Sequence, residues 1–148
     1  MNEPTHIRAV ALQGSYLTPS VEHARVADAM RSGVITCPAG ATMSTVARIM
    51  ATEHVHAVVV TGLEGDRPWG VVADRDVLVA ASDPDRPASW CANTELVGIR
   101  PSERLDAAVR LMLEHGVTHL LVVDSESGPP IGVLSSLDVA GIIAWGRG

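Results

Sequence analysis

The chain contains its own pattern twice. Residues 43–76, MSTVARIMATEHVHAVVVTGLEGDRPWGVVADRD, align without a gap on residues 105–138, LDAAVRLMLEHGVTHLLVVDSESGPPIGVLSSLD. Met50 and Met112, Gly70 and Gly132, and Asp76 and Asp138 all stand 62 residues apart. Upstream, Pro38 and Pro101 are 63 apart, which implies one residue gained or lost in the turn between. Such self-similarity marks two copies of one supersecondary unit. A unit this short buries too little surface to be comfortable alone, so the copies are expected to pack together about a pseudo-twofold axis, leaving two related clefts.

Each copy reads as strand, helix, strand, strand, helix. Met43, Val46, Ala47, Met50 and their counterparts Leu105, Ala108, Val109, Met112 recur at the spacing of a helix with one buried face. Thr42 and Ser102 precede these helices as expected N-caps, and Gly116 stands where the second should stop. The apolar runs 57–60 and 120–123 are rich in β-branched residues, as expected of central strands covered on both faces. A turn of Gly, Pro and acids leads to a further strand at 70–72 and 132–134, and helices are expected over 75–81 and 137–145. Val34-Ile35-Thr36 and Leu96-Val97-Gly98 are the expected initial strands. The fold class is therefore α+β, two β-α-β-β-α repeats. Residues 1–24 form an N-terminal extension, 25–81 the first repeat, 82–88 a linker and 89–148 the second repeat. Three roles are open to the extension, with Arg8-Ala9-Val10-Ala11-Leu12 inside it: an added edge strand, a cover over a cleft, or disorder.

A heptad of Gly, two apolar residues, Thr or Ser, two variable residues and Asp ends each copy's third strand. In the second copy it is Gly132-Val133-Leu134-Ser135-Ser136-Leu137-Asp138; in the first, Gly70-Val71-Val72-Ala73-Asp74-Arg75-Asp76, with alanine replacing the hydroxyl. On these units and this motif the chain resembles a tandem pair of cystathionine-β-synthase-type (CBS) domains, or Bateman module, over about residues 26 to 145. A hydroxyl residue ending a strand meets the first free N–H groups of the next helix, where an anion can be held. A carboxylate one turn later can accept hydrogen bonds from a ribose. The resemblance implies that Asp138 and Asp76 take the ribose, Ser135 the phosphate side, and the strands around Ile35, Thr36 and Val97 the adenine. Ala73 leaves the first site weaker.

The family often places a basic residue just before the central strand, facing the ligand phosphates. Here those positions hold Val55-His56-Ala57 and Val117-Thr118-His119. Histidine is a poorer phosphate ligand than the permanently charged, bidentate arginine. The expected ligand therefore carries little negative charge: AMP, adenosine or S-adenosylmethionine ahead of ATP. No cofactor is expected to be obligatory. The structural reading of the same motif is that glycine permits close strand packing and aspartate satisfies a helix N-terminus. His54, His56, His115 and His119 have spacings seen among metal ligands, but they fall at helix ends where histidine complements the dipole. No metal site is expected. The helical methionines, Trp69 and Trp145 read as core or interface packing.

Other function classes are disfavoured. The net charge is −6, with no lysine, so no basic footprint for nucleic acid exists. With no phenylalanine and one tyrosine, stacking platforms for bases are scarce. No catalytic triad order, P-loop or dinucleotide fingerprint is present, and the chain is not read as an enzyme. Cys37 and Cys91 form no disulfide or zinc pattern, and no run of residues resembles a signal peptide or a membrane span, so a cytoplasmic location is expected. The resemblance further implies a homodimer associating through helical faces and an effector protein that reads the ligand state. The competing reading is a ligand-free dimerisation or interaction scaffold.

Overall fold

The computed structural model describes residues 19–62, 67–126 and 128–146. The elements in chain order are α1 (Val26–Ala29), β1 (Arg31–Ser32), β2 (Thr36–Pro38), α2 (Met43–Glu53), β3 (Ala57–Thr61), β4 (Pro68–Ala73) and α3 (Asp74–Val79). After a 3-10 turn at Ala80–Ser82 come α4 (Ala88–Cys91), β5 (Gly98–Ile99), α5 (Leu105–His115), β6 (His119–Val123), β7 (Pro130–Ser135) and α6 (Ser136–Trp145). The mixture of sheets and helices is the expected α+β class. Residues 8–12, expected as an edge strand, a cover or disorder, lie outside the described residues.

The described residues divide into two compact units, one within 33–96 and the other made of 19–32 with 97–146. In the first, β2, β3 and β4 form a three-stranded sheet in that order, with β2 parallel and β4 antiparallel to β3. In the second, the order is β1-β7-β6-β5, with β5 parallel to β6 and β7 antiparallel to it. The central strands are buried at all three inner positions, Val58–Val60 and Leu120–Val122. Each unit has its own core. Met43, Val46 and Met50 of α2 pack with Val58, Val60 and Val72, while Leu105, Ala108 and Met112 of α5 pack with Leu120, Val122 and Leu134. Cys37 lies in the first core, where burial pushes its thiol pKa up; it serves as a small apolar side chain.

Strand register corrects the sequence alignment. Thr36 pairs with Val59 and Gly98 with Leu121, so the 62-residue offset continues through the first strands and no residue is gained or lost. The two prolines are therefore not equivalent: Pro38 corresponds to Arg100. The first strands also start two residues later than expected, at Thr36 and Gly98. Helix α2 is capped as expected, Thr42 Oγ1 accepting the Thr45 N–H at 3.2 Å. Helix α5 instead begins after Arg104, with no side-chain cap, and not at Ser102. Gly116 ends α5 in the left-handed region (φ 63), and His54 does the same for α2 (φ 55), a conformation glycine adopts at less cost.

The same offset reveals a third part of the repeat, which the sequence hides. Ala88 N–H donates to the Ala41 carbonyl and Ser89 N–H to Ala39; Val26 N–H donates to Glu103 and Ala27 N–H to Pro101. Met43 N–H reaches the Arg86 carbonyl as Leu105 N–H reaches that of Ala24. Residues 86–94 and 24–32 are thus equivalent arms. Residues 82–88, expected as a linker, run into the first of these and are hydrogen-bonded to the unit they border. Each arm lies on a unit whose body belongs to the other copy: 24–32 precedes the first body but packs with the second, and 86–94 does the reverse. Arg104 reinforces one arm, donating to the Glu22 carbonyl at 2.8 Å, and also holds the Asp106 carboxyl below its usual pKa.

The arms explain the motif glycines. Arg31 and Ser32 pair with Val133 and Gly132, and Asn93 forms a bridge with Val71. A Cβ on Gly132 would collide with the Arg31 carbonyl oxygen, and one on Gly70 would lie 2.9 Å from Ala92 Cβ. Rigid backbone leaves nowhere for the added atom to go. We predict that Gly132→Val lowers unfolding stability by about 1–3 kcal/mol or more, as overpacking does, whereas Gly40→Ala, with open space around its Cβ, changes it little. Paired urea melts check this, and equal stability of the two variants would refute the account.

Candidate functional site

The two strand-to-helix turns of the motif share one construction. Ser135 ends β7 in extended backbone (φ −112, ψ 163) and caps α6. Its Oγ accepts the Asp138 N–H at 3.1 Å while its own N–H donates to Asp138 Oδ2 at 2.8 Å, a reciprocal capping box. In the first copy the Ala73 N–H likewise donates to Asp76 Oδ2 at 2.8 Å, but no side-chain hydroxyl caps α3. Both aspartates are half-buried. Among the described residues, the other carboxylate oxygen of each, Oδ1, takes no protein hydrogen bond. One oxygen of each aspartate thus shapes the turn, and the other is not committed to the protein among the described residues.

The chain just before each central strand completes the turn. The His56 carbonyl accepts the Asp74 N–H, and the Thr118 carbonyl accepts the Ser136 N–H, both at 2.9 Å. The side chains at these equivalent places differ. His56 Nδ1 lies 3.1 Å from Asp74 Oδ2, a contact that becomes an ion pair when the ring is protonated. Thr118 Oγ1 lies 2.9 Å from His119 Nδ1, a polar pair without a carboxylate. Arg75 is the one cationic residue on either motif helix, and it stands between two aspartates.

The initial strands approach the same end of each sheet. The Ile35 carbonyl accepts the Val59 N–H and the Val97 carbonyl the Leu121 N–H, both at 2.9 Å. Ile35, Thr36, His56, Ala73 and Asp76 therefore gather at one end of the β2-β3-β4 sheet. Val97, Thr118, His119, Ser135 and Asp138 gather at the corresponding end of the β5-β6-β7 portion of the other. The expected site residues fall into two groups of five, one in each unit. Sequence reasoning missed the division of labour within each aspartate; the spacing from Ser135 to Asp138 is the capping-box spacing and would have announced it.

Among the described residues, no group of three or more His, Cys, Asp or Glu is placed to hold a metal ion. No helix among them is long and apolar enough to cross a membrane.

The difference between the two caps can be measured. Ser135→Ala is expected to cost about 1 kcal/mol, the typical worth of an N-cap hydroxyl, and Ala73→Ser to add a similar amount by completing the box in the first copy. Chemical denaturation of the two variants checks both signs; a destabilising Ala73→Ser would show that the two turns are not equivalent.

The CBS domain family matches this chain twice, over residues 26–83 and 91–144. YhcV, a CBS domain-containing protein of Bacillus subtilis, is 29% identical over 119 residues, covering 78% of this chain and 82% of that protein. Homoserine O-acetyltransferase of Methanohalophilus mahii is 26% identical over 130 residues; the match takes in 88% of this chain, which spans 26% of the enzyme's length. Among solved structures, the CBS domain protein PAE2072 of Pyrobaculum aerophilum, complexed with AMP, superposes with a TM-score of 0.69 at 28% identity, covering 81% of this chain and 98% of that one. The cytosolic domain of the Mg2+ channel MgtE, in complex with ATP, gives a TM-score of 0.64 at 26% identity over 82% of this chain and 49% of that one. Two family matches on two units with the same register and the same motif turn show that the chain belongs to the CBS domain family, as a tandem pair of CBS domains.

Proposed function

We propose that this CBS pair is a regulatory, non-catalytic module that binds an adenine-containing ligand of low negative charge, of the AMP, adenosine or S-adenosylmethionine class. Ser135 and Asp138 form its better site and Asp76 the core of a weaker one. The observation that carries the reading is the half-committed Asp138 carboxylate: Oδ2 holds the turn, and Oδ1 is left to accept a ribose hydroxyl beside the N-terminus of a ten-residue helix. The AMP bound by PAE2072, a relative at 28% identity, supports the ligand class. The electrostatics favour low charge. His56 is engaged by Asp74, Thr118 by His119, and α6 carries no cation to offset a triphosphate.

The expected result is a rise in melting temperature with AMP or S-adenosylmethionine that exceeds the rise with ATP. A ligand at a hundred times its Kd adds about 2.7 kcal/mol to stability. Asp138→Ala abolishes most of that rise and Asp76→Ala a smaller part, each compared with its own ligand-free baseline because both variants lose a capping interaction. Tighter binding of ATP than of AMP overturns the low-charge reading. A second reading, a ligand-free interaction scaffold, draws on the fact that both aspartates already serve backbone N–H groups. It takes the place of the first if no adenine compound moves the melting curve.

The module is further proposed to act in the cytoplasm as a homodimer that reports ligand state to an effector protein. Coupling of this kind requires the ligand to favour one of two arrangements. Support for self-association comes from apolar side chains standing out on the motif helices: Leu78 and Val79 of α3 and Leu137 and Ile143 of α6 are all more than half exposed. Light scattering at micromolar concentration is expected to give a dimer that Leu78→Asp combined with Ile143→Asp turns into a monomer. A monomeric parent protein rejects the assembly.

A further inference from the structure

The first unit has a cavity at the end of its sheet opposite the motif. It occupies about 620 Å³ between the β3–β4 ends and helix α4, within the roughly 300–1,000 Å³ range of small-molecule pockets. Ala39, Gly62, Pro68 and Trp69 form its apolar walls, and Arg67 and Ser89 are its polar groups. Pro68 pairs with Thr61 and Ala73 with Ala57, so the cavity and the motif turn are four strand residues apart, about 13 Å. The two places share no residue.

The duplication supplies a comparison inside the same molecule. At the 62-residue offset Gly62 corresponds to Asp124, Arg67 to Pro129, Trp69 to Ile131 and Ser89 to Ala27. The described strand pairing and arm hydrogen bonds recur in both copies, but the second has aspartate in place of Gly62 and lacks the guanidinium, the indole and the hydroxyl. A strand pairing and an arm hydrogen bond that recur so closely do not require Trp69 or Arg67. Trp69 also remains 40% exposed, so it is not used to fill the core.

We propose that this cavity is a binding site for a small aromatic monocarboxylate. The apolar walls take the ring, with the Trp69 indole as its flat partner, because aromatic pairs stack with favourable geometry. Arg67 takes the carboxylate in a charge-assisted, two-pronged contact, and Ser89 can donate a hydroxyl hydrogen bond to the same group. Arg67 is the one guanidinium among the described lining residues and sets the charge at one negative unit. The size of the cavity admits a ring with a short acidic arm.

Phenylacetate is the probe, with phenethylamine and benzyl alcohol as the cationic and neutral counterparts of similar shape. Calorimetry on the full chain is expected to show saturable phenylacetate binding, with neither counterpart binding comparably. Arg67→Gln weakens that binding by about tenfold or more, the worth of a hydrogen bond to a charged group. Gly62→Asp, which installs the second copy's residue, abolishes it, while Asp138→Ala at the motif leaves it unchanged. Residues 62 and 67 lie at the sheet's end, and unaltered melting curves for both variants exclude misfolding. Absence of saturable phenylacetate binding overturns the proposal. So do equal binding of phenethylamine, insensitivity to Arg67→Gln or Gly62→Asp, and loss of binding in Asp138→Ala.

Discussion

The contact on which the molecule depends is the approach of each arm to the strand that carries the motif. Backbone meets backbone where Arg31 and Ser32 lie along Val133 and Gly132, and where Asn93 faces Val71. A side chain at either glycine would hold the arm off, and with it the buried Val26 or Ala88 that closes the core beneath. Polar backbone left unpaired in such a place is costly, so the arm hydrogen bonds to Ala39, Ala41, Pro101 and Glu103 are part of the same construction. The glycine of the motif is therefore a packing residue. Its place in the heptad comes from sharing a strand with the capped turn.

The rest of the heptad divides its work in a similar way. The aspartate serves the backbone through one oxygen, and the other takes no protein hydrogen bond among the described residues. The hydroxyl of Ser135 caps α6, whereas Ala73 leaves α3 without a side-chain cap. The turn keeps its shape in the copy that lacks the hydroxyl. Both copies retain the same strand register, the same bulge position and the same turn hydrogen bond from Asp74 or Ser136.

Much of this was legible in the sequence, because the signals were periodic and redundant. The helical spacing of Met43, Val46 and Met50 and the buried run at 58–60 were each visible twice, recurring at Leu105, Ala108 and Met112 and at 120–122, and each copy vouched for the other; the glycine stop at 116 stood in the second copy alone. The arms were not visible. Residues 24–32 and 86–94 share small or apolar side chains at a few positions, such as Val26 with Ala88 and Ala29 with Cys91, and their equivalence lies in backbone hydrogen bonds that carry no side-chain signature. The proline pair misled the alignment for a related reason: proline marks a turn, and a turn can place it one residue earlier or later at no cost to the strand register. Of the candidate site, the motif was readable in both copies but not how each aspartate divides its two oxygens, since one letter stands for a carboxylate in any role.

The exchange of arms puts the unit of duplication out of step with the unit of folding. One copy of the repeated sequence, from its arm to its second helix, carries a sheet and an arm that do not belong to each other. The continuous stretch 33–96 instead joins the body of the first copy to the arm of the second and makes one compact piece. One copy taken alone would leave its arm free and its motif strand uncovered, and the second copy in this chain meets both needs at once. Within this chain, each copy supplies the arm that the body of the other copy uses.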